Sequence, residues 1–266
     1  MSKITQTWQD IKAKGQKALI VYLSCGDPSL EYTEKLAEKL SRAGVDFLEL
    51  GIPYSDPVAD GPIIQRASQR ALAAGIKIEQ IFQLAASLRN KIGTPLILMT
   101  YFNVIYRHGI EQFVFKASQA GVAGLIVPDL PLEEAGLLKK TMEQAGLDLI
   151  FLAAPTSTAS RLQKIGSLAS GFLYCVSVTG VTGSRKQLSP DLAAFIKRVG
   201  VYTDLPLAVG FGISGPDMAR QAAQLADGVI VGSAVIEKIE AKEELDEIAS
   251  YVASLKEALN KEAHNS

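Results

Sequence analysis

The sequence predicts an α/β protein folded as a (β/α)8 TIM barrel. Three observations carry that expectation. Short β-type runs recur eight times along the 266 residues, helical patterns stand between them, and the runs are apolar throughout, without the alternation of a half-exposed strand. Strands of Val, Ile and Leu that do not alternate suit a parallel sheet covered on both faces. Eight of them alternating with helices over about 250 residues is the arithmetic of a closed barrel. An open, doubly wound sheet is the alternative, but it prefers a glycine-rich turn after its first strand, and CGDPS is not G-x-G-x-x-G. No linker or shift in composition divides the chain, so residues 1–266 read as one barrel domain.

An extra helix is expected ahead of the barrel, over residues 3–14. The first strand is ALIVYLSC (18–25). LEYTEKLAEKLSRAG follows, with Leu30, Leu36, Ala37 and Leu40 near one helical face. The second strand is VDFLEL (45–50). The interval before the third, PLILMTY (95–101), is too long for one helix, and KIEQIFQLAASLRNK (77–91) supplies another. The remaining strands are AGLIVP (123–128), LDLIFLA (147–153), GFLYCVSV (171–178), PLAVGFG (206–212) and DGVIVGS (227–233). EEAGLLKKTMEQAG (133–146) and PDMARQAAQLA (216–226) repeat the helical logic, and a last helix over 243–261 follows the eighth strand.

Composition narrows the function. Lys and Arg number 27 against 28 Asp and Glu, so no global field advertises nucleic acid or an anionic membrane as partner. The N-terminal MSKITQTWQDIKAKG has no apolar signal core, and no run approaches the roughly 18 apolar residues of a membrane span. A cytoplasmic protein is expected, or a stromal one if the sequence is a processed plastid form. Cys25 and Cys175 read as reduced, buried thiols outside any redox or zinc spacing. The only histidines are His108 and His264, so no metal site is expected. No strand holds a lysine for Schiff-base chemistry, and no P-loop or dinucleotide signature occurs. Cofactor-free chemistry on a phosphorylated small molecule, run by carboxylates, remains.

Barrel sites form at the C-terminal ends of the strands, and the special residues of this chain collect there. Glu49 stands in the apolar run FLELG. A carboxyl at the end of a barrel strand in apolar surroundings has its pKa raised, which suits general acid–base work. The competing reading is a structural carboxylate paired with Arg or backbone, although Lys and Arg are almost absent from the strand interiors. Asp56 and Asp60 lie in a Pro/Gly loop, where Asp alone usually means turn chemistry. GFGIS (210–214) and VGSA (231–234) put glycine just beyond strands seven and eight, with helices starting at Ser214 or Ser233. The pair matches a barrel phosphate site built on backbone amides; two ordinary helix starts with capping serines are the alternative.

IVYLSCGDPS, DFLELGIPYSDPVADGPIIQ, TYFN, LIVPDLP, YCVSVTGVTGSR, VGFGIS and VGSA occur in this order over nearly the whole chain. Together they resemble the tryptophan synthase α-subunit family, and ELGIPYSDPVADGP is the most specific piece. The resemblance implies cleavage of indole-3-glycerol phosphate to indole and glyceraldehyde 3-phosphate. It also implies a partner, a pyridoxal-phosphate-dependent β subunit in an α2β2 heterotetramer that receives the indole, with no cofactor in this subunit. By the same resemblance Glu49 matches the acid that protonates C3 of the indole ring, and Asp60 the carboxylate facing the ring N–H. Tyr174 matches a tyrosine near the glycerol phosphate. Thr182 matches a mobile-loop threonine that closes toward Asp60. Gly183, Phe211, Gly212, Gly232 and Ser233 match a phosphate cradle. Tyr22, Ile64, Thr100 and Tyr101 fall at or beside the indole pocket, and Pro53, Asp56, Asn103 and Pro131 on the surface toward the partner. Tyr22 and the SCGD stretch depart from the family, which more often has phenylalanine and TAGD; a tolerated aromatic exchange is the simpler reading of Tyr22. Two alternatives stand beside this one: a stand-alone lyase that releases free indole, and a non-catalytic regulator of the β subunit, which would expect an eroded site.

Overall fold

In the computed structural model, which describes residues 1–176, 191–210 and 212–260, eight parallel strands close in sequence order into a barrel. Helix α1 (Lys3–Ala13) precedes β1 (Ala18–Ser24), α2 (Leu30–Arg42) and β2 (Phe47–Gly51). Two helices, α3 (Pro62–Ala73) and α4 (Ile78–Lys91), lead to β3 (Leu96–Met99). Two more, α5 (Phe102–His108) and α6 (Ile110–Gln119), lead to β4 (Val122–Ile126). Then come α7 (Ala135–Gln144), β5 (Asp148–Ala153), α8 (Ala159–Leu168), β6 (Leu173–Val176), α9 (Leu192–Gly200), β7 (Leu207–Gly210), α10 (Pro216–Ala223) and β8 (Gly228–Val231). The chain ends with α11 (Ser233–Glu240) and α12 (Leu245–Asn260).

The barrel predicted from the eight apolar runs is therefore present, with the extra helices at the N-terminus, between β2 and β3, and after β8. The strands are shorter than the runs. β3 ends at Met99 because the chain turns there into the start of α5, with Tyr101 as its N-cap. Helix α10 starts at Pro216, not at Ser214. Proline's fixed φ suits the first helical position, and Gly215 takes the N-cap.

Both faces of each strand are buried, but in different cores. Ile20, Phe47, Ile97, Ile126, Ile150, Phe172 and Ile230 fill the barrel interior. Their neighbours Leu19, Val21, Leu48, Leu98, Leu125, Leu149, Leu173 and Val229 pack outward under the helices. The period of two is intact in space. Hydropathy hides it because both destinations are apolar.

The amphipathic α1 closes the N-terminal mouth. Ile4, Trp8 and Ile11 join the interior core, and the Trp8 ring lies 5.2 Å from Phe47 and 5.7 Å from Phe172, centroid to centroid. Ser2 caps the helix by accepting the Thr5 N–H, and its hydroxyl donates to the buried Asp148 at 2.5 Å. On the other rim, Arg70 of α3 grips the buried Asp27 with both arms at 2.8 Å, and Arg66 and Arg70 together hold Glu240 at the end of α11. Fork-shaped guanidinium pairs of this kind fix geometry as well as charge. They tie α3 to α11 and to the loop after β1.

Removal of the floor is testable. Trp8→Ala should lower unfolding stability by about 3–5 kcal/mol, as large-to-small changes in a packed aromatic core do, measured by urea denaturation. A loss under about 1 kcal/mol, the level of a surface change, would mean that α1 does not complete the barrel core.

Candidate active site

Glu49 shares the inward face of β2 with Phe47, two residues before it. Its register partners are Tyr22 on β1 and Ile97 on β3. The side chain is 1% exposed. Burial, and secondarily the nearby charge of Asp60, push its carboxyl up to about 8. Its Oε2 has no hydrogen-bond partner among the described residues. A buried ionised carboxylate is costly without such partners, so the protonated form is the resting form at neutral pH. Among the described residues Glu49 has no ion pair of the kind that the sequence left open.

Asp60 returns from the β2–α3 loop to the same space. It immediately precedes Gly61, the N-cap of α3, and Pro62 at the first helical position. Burial pushes its carboxyl up to about 6, while a hydrogen bond from the Tyr101 hydroxyl pulls it back. The helix start behind it also favours an anion. Its backbone carbonyl accepts from Gln65 Nε2 at 2.9 Å, which anchors the loop to α3. Two carboxyls thus meet in one cavity with different proton affinities, set by depth and by hydrogen bonding.

Two tyrosines stand over the inner strands, Tyr22 two residues past Ile20 and Tyr174 two past Phe172. Each leans across a glycine on the next strand. A Cβ on Gly51 would come within 2.1 Å of the Tyr22 hydroxyl, and one on Gly210 within 2.5 Å of the Tyr174 hydroxyl. Glycine at these two places is what admits the rings to the mouth.

The cavity is lined by Tyr22, Glu49, Asp60, Gly61, Ile64, Met99, Tyr174, Gly212, Ile213, Ile230, Gly232 and Ser233. Of the residues expected at the pocket, Tyr22, Ile64 and Tyr174 line it with the two carboxyls, as do Gly212, Gly232 and Ser233. Thr100 and Tyr101 do not. The inward places on β3 go to Ile97 and Met99, so Met99 forms the wall, and Tyr101 stands behind the Asp60 loop with its hydroxyl accepting the Ala59 N–H at 3.0 Å. Met99, Ile213 and Ile230 were not singled out by the sequence; counting inward parity from Glu49 across the register would have found Met99. Neither α10 nor α11 has a side-chain cap, so capping serines do not explain the glycine motifs. Thr182, Gly183 and Phe211 lie outside the described residues. On the outer surface, Asp56, Asn103 and Pro131 are exposed, whereas Pro53 is buried at the side of a groove that it lines with Tyr54 and Asn103. Among the described residues no group of three or more His, Cys, Asp and Glu is gathered to hold a metal ion.

The chain is similar to known proteins over nearly its whole length. A family model described as "Tryptophan synthase alpha chain" matches residues 8–265. A protein of that name from Geobacter sp. (strain M21) is 49% identical over 264 residues, covering 98% of this chain and 99% of the relative. The solved tryptophan synthase subunit alpha of Legionella pneumophila superposes with a TM-score of 0.90 at 40% identity, covering 98% of this chain and 99% of that one. A chain of Mycobacterium tuberculosis tryptophan synthase gives 0.91 at 35% identity, covering 97% and 98%.

The state of Glu49 has a thermodynamic signature. Its carboxyl titrates near 4.5 ordinarily and about 8 here. Between those values the folded protein keeps a proton that the unfolded chain has released, so this group costs stability as pH rises through that window. Glu49→Gln should therefore gain thermal stability over the parent as pH rises from 4.5 to 8, reaching a few kcal/mol at the top at about 1.4 kcal/mol per unit. Parallel melting curves at all pH values would show that Glu49 is not held protonated.

Proposed function

The chain belongs to the tryptophan synthase alpha chain family, and we propose that its two inward carboxyls divide the work of cleaving indole-3-glycerol phosphate. It is a lyase of tryptophan biosynthesis. The observation that carries the reading is a buried Glu49, its Oε2 without a hydrogen-bond partner among the described residues, in the same cavity as a more readily ionised Asp60.

Glu49, protonated at rest, delivers its proton to C3 of the indole ring. The ring becomes a cationic indoleninium, and its nitrogen takes on positive charge. Asp60, ionised, faces the ring N–H and stabilises that charge in a site with little water to compete. The bond from C3 to the glycerol carbon then breaks, and its electron pair returns to the ring as neutral indole. The hydroxyl on that carbon becomes the aldehyde of glyceraldehyde 3-phosphate, and its proton goes back to the carboxylate that Glu49 has become. Atoms and charge balance, with no part for a metal or cofactor of this chain. Gly212, Gly232 and Ser233 receive the phosphate. The start of α11, which lacks a side-chain cap, offers first-turn amides and partial positive charge to that anion. Tyr174 borders the same cavity beside the glycerol. Gly183 and Phe211 would complete the cradle, and Thr182 would close toward Asp60.

Family membership implies a β-subunit partner. We place its docking on the face of Asp56, Asn103 and Pro131, where Val58 and Tyr106 are 84% and 69% exposed. An α2β2 assembly, transfer of indole to the partner and pyridoxal phosphate held there complete the reading. No helix among the described residues is long and apolar enough to cross a membrane; a cytoplasmic setting is part of the proposal.

Indole formation from indole-3-glycerol phosphate, with and without a β subunit, tests the reading; activation by the partner is expected. Glu49→Gln should fold and bind substrate yet lose kcat by roughly a hundredfold or more, the scale of general acid–base catalysis. The profile of kcat/KM against pH should be a bell. Its acid limb lies near the Asp60 value of about 6 and its alkaline limb near the Glu49 value of about 8. These limbs belong to the interacting pair as a unit. Activity retained by Glu49→Gln would remove the general-acid role.

A further inference from the structure

Tyr54 lies in the loop that delivers Asp60, and the chemistry above makes no use of it. It is half-buried, three residues past the end of β2, the strand that holds Glu49. Its ring stacks on the ring of Tyr101 with centroids 5.0 Å and planes 26° apart. Its hydroxyl accepts a hydrogen bond from Nδ2 of Asn103 at 3.0 Å. Tyr54 is therefore fixed at its tip by α5 and lies flat against Tyr101.

Tyr101 is fixed in turn by what it carries. It is 3% exposed. Its hydroxyl accepts the Ala59 N–H at 3.0 Å and faces the Asp60 carboxyl, whose ionised form it favours. One oxygen thus holds the backbone just before Asp60 and stands against its side chain. Where that oxygen sits depends on the two side-chain torsions of Tyr101, and the stacked Tyr54 ring restrains the plane those torsions define. Offset stacking suits this role, because aromatic pairs favour a defined offset and separation. The sequence order Pro53-Tyr54 adds to it, since the fixed φ of Pro53 limits where the loop can present the ring.

We propose that Tyr54 is a positioning residue for the cleavage: by stacking on Tyr101, it holds in place the hydroxyl that anchors the backbone just before Asp60 and faces the Asp60 carboxyl. The inference rests on the reading of Asp60 as the carboxylate facing the ring N–H. Loss of the stack lets Tyr101 swing, and Asp60 then loses the donor that favours its ionised form. The consequence is a shift in the acid limb of the pH profile as well as a lower rate.

The experiment compares Tyr54→Ala, Tyr54→Leu and Tyr54→Phe with the parent, each as the full chain without a partner, by indole release across both limbs of the profile. Tyr54→Ala is expected to lower kcat about tenfold or more, the scale of a small misplacement of a catalytic group, with a smaller effect on KM. Its acid limb should move to higher pH. Tyr54→Leu fills the space without an aromatic face and should behave like Tyr54→Ala; it also serves where the smaller side chain fails to fold. Tyr54→Phe keeps the ring and should restore most of kcat and the parental limb. In a Tyr101→Phe background, which lacks the hydroxyl, Tyr54→Ala should move the limb no further. An unmoved acid limb in both Tyr54→Ala and Tyr54→Leu overturns the proposal, whatever happens to kcat. So does an additional limb shift in the Tyr101→Phe background. A parent chain that forms no indole either alone or with a β subunit would refute the lyase reading itself, which separates the two failures.

Discussion

Glu49 stands on the inner face of a closed barrel, where burial penalises its charge and no hydrogen bond to Oε2 offsets the penalty among the described residues. The site follows from that. A carboxyl in such a place holds its proton at neutral pH, and a proton held against ordinary carboxyl behaviour is one that can be given to carbon. Asp60 has the same functional group in a different setting. It is less deeply buried, has the Tyr101 hydroxyl beside it to favour its ionised form, and lies at the start of α3. Environment alone separates the two proton affinities, and pairs of titratable groups pushed apart in this way mark acid and base roles.

The scaffold keeps those environments distinct. Beneath Glu49 the interior is sealed by Phe47, Phe172 and the Trp8 ring from α1. Above it, the two tyrosines reach the mouth only because Gly51 and Gly210 leave room. The Arg66, Arg70, Asp27 and Glu240 network joins α3, which follows directly on Asp60, to α11, which starts at the glycine rim. One set of ion pairs therefore joins the helix that follows Asp60 to the helix that follows Gly232. Arg70 also answers the buried charge of Asp27, which would be costly unpaired.

Much of this was legible in the residues. Eight apolar runs were enough for the barrel, and a charge in FLELG was enough to single out Glu49. Asp60 was not legible by itself, because an aspartate among prolines and glycines has turn chemistry as its ordinary explanation; the family resemblance supplied it. Met99 and Ile230 stayed hidden for a physical reason. Each strand residue is buried whichever way it points, so hydropathy carries no parity, and only the register shows which apolar side chains face the cavity. Thr100 and Tyr101, expected at or beside the pocket, do not line the cavity, since the end of β3 cannot be fixed to a residue from an apolar run. Pro53, read as surface, is buried for a similar reason, as loop depth has no local signal. Tyr54 had no signal at all, because its role depends on a stack with a residue 47 positions away (101 − 54).

The central claim is that Glu49 carries a proton at neutral pH because of where the barrel puts it. A carbon-13 NMR titration of the Glu49 side-chain carboxyl in the folded chain measures this directly, with Asp60→Asn as the comparison. The account predicts a midpoint near 8 in the parent and a lower one in Asp60→Asn, where the neighbouring negative charge is gone but the burial remains. A midpoint near the ordinary 4.5 in the folded parent would contradict it.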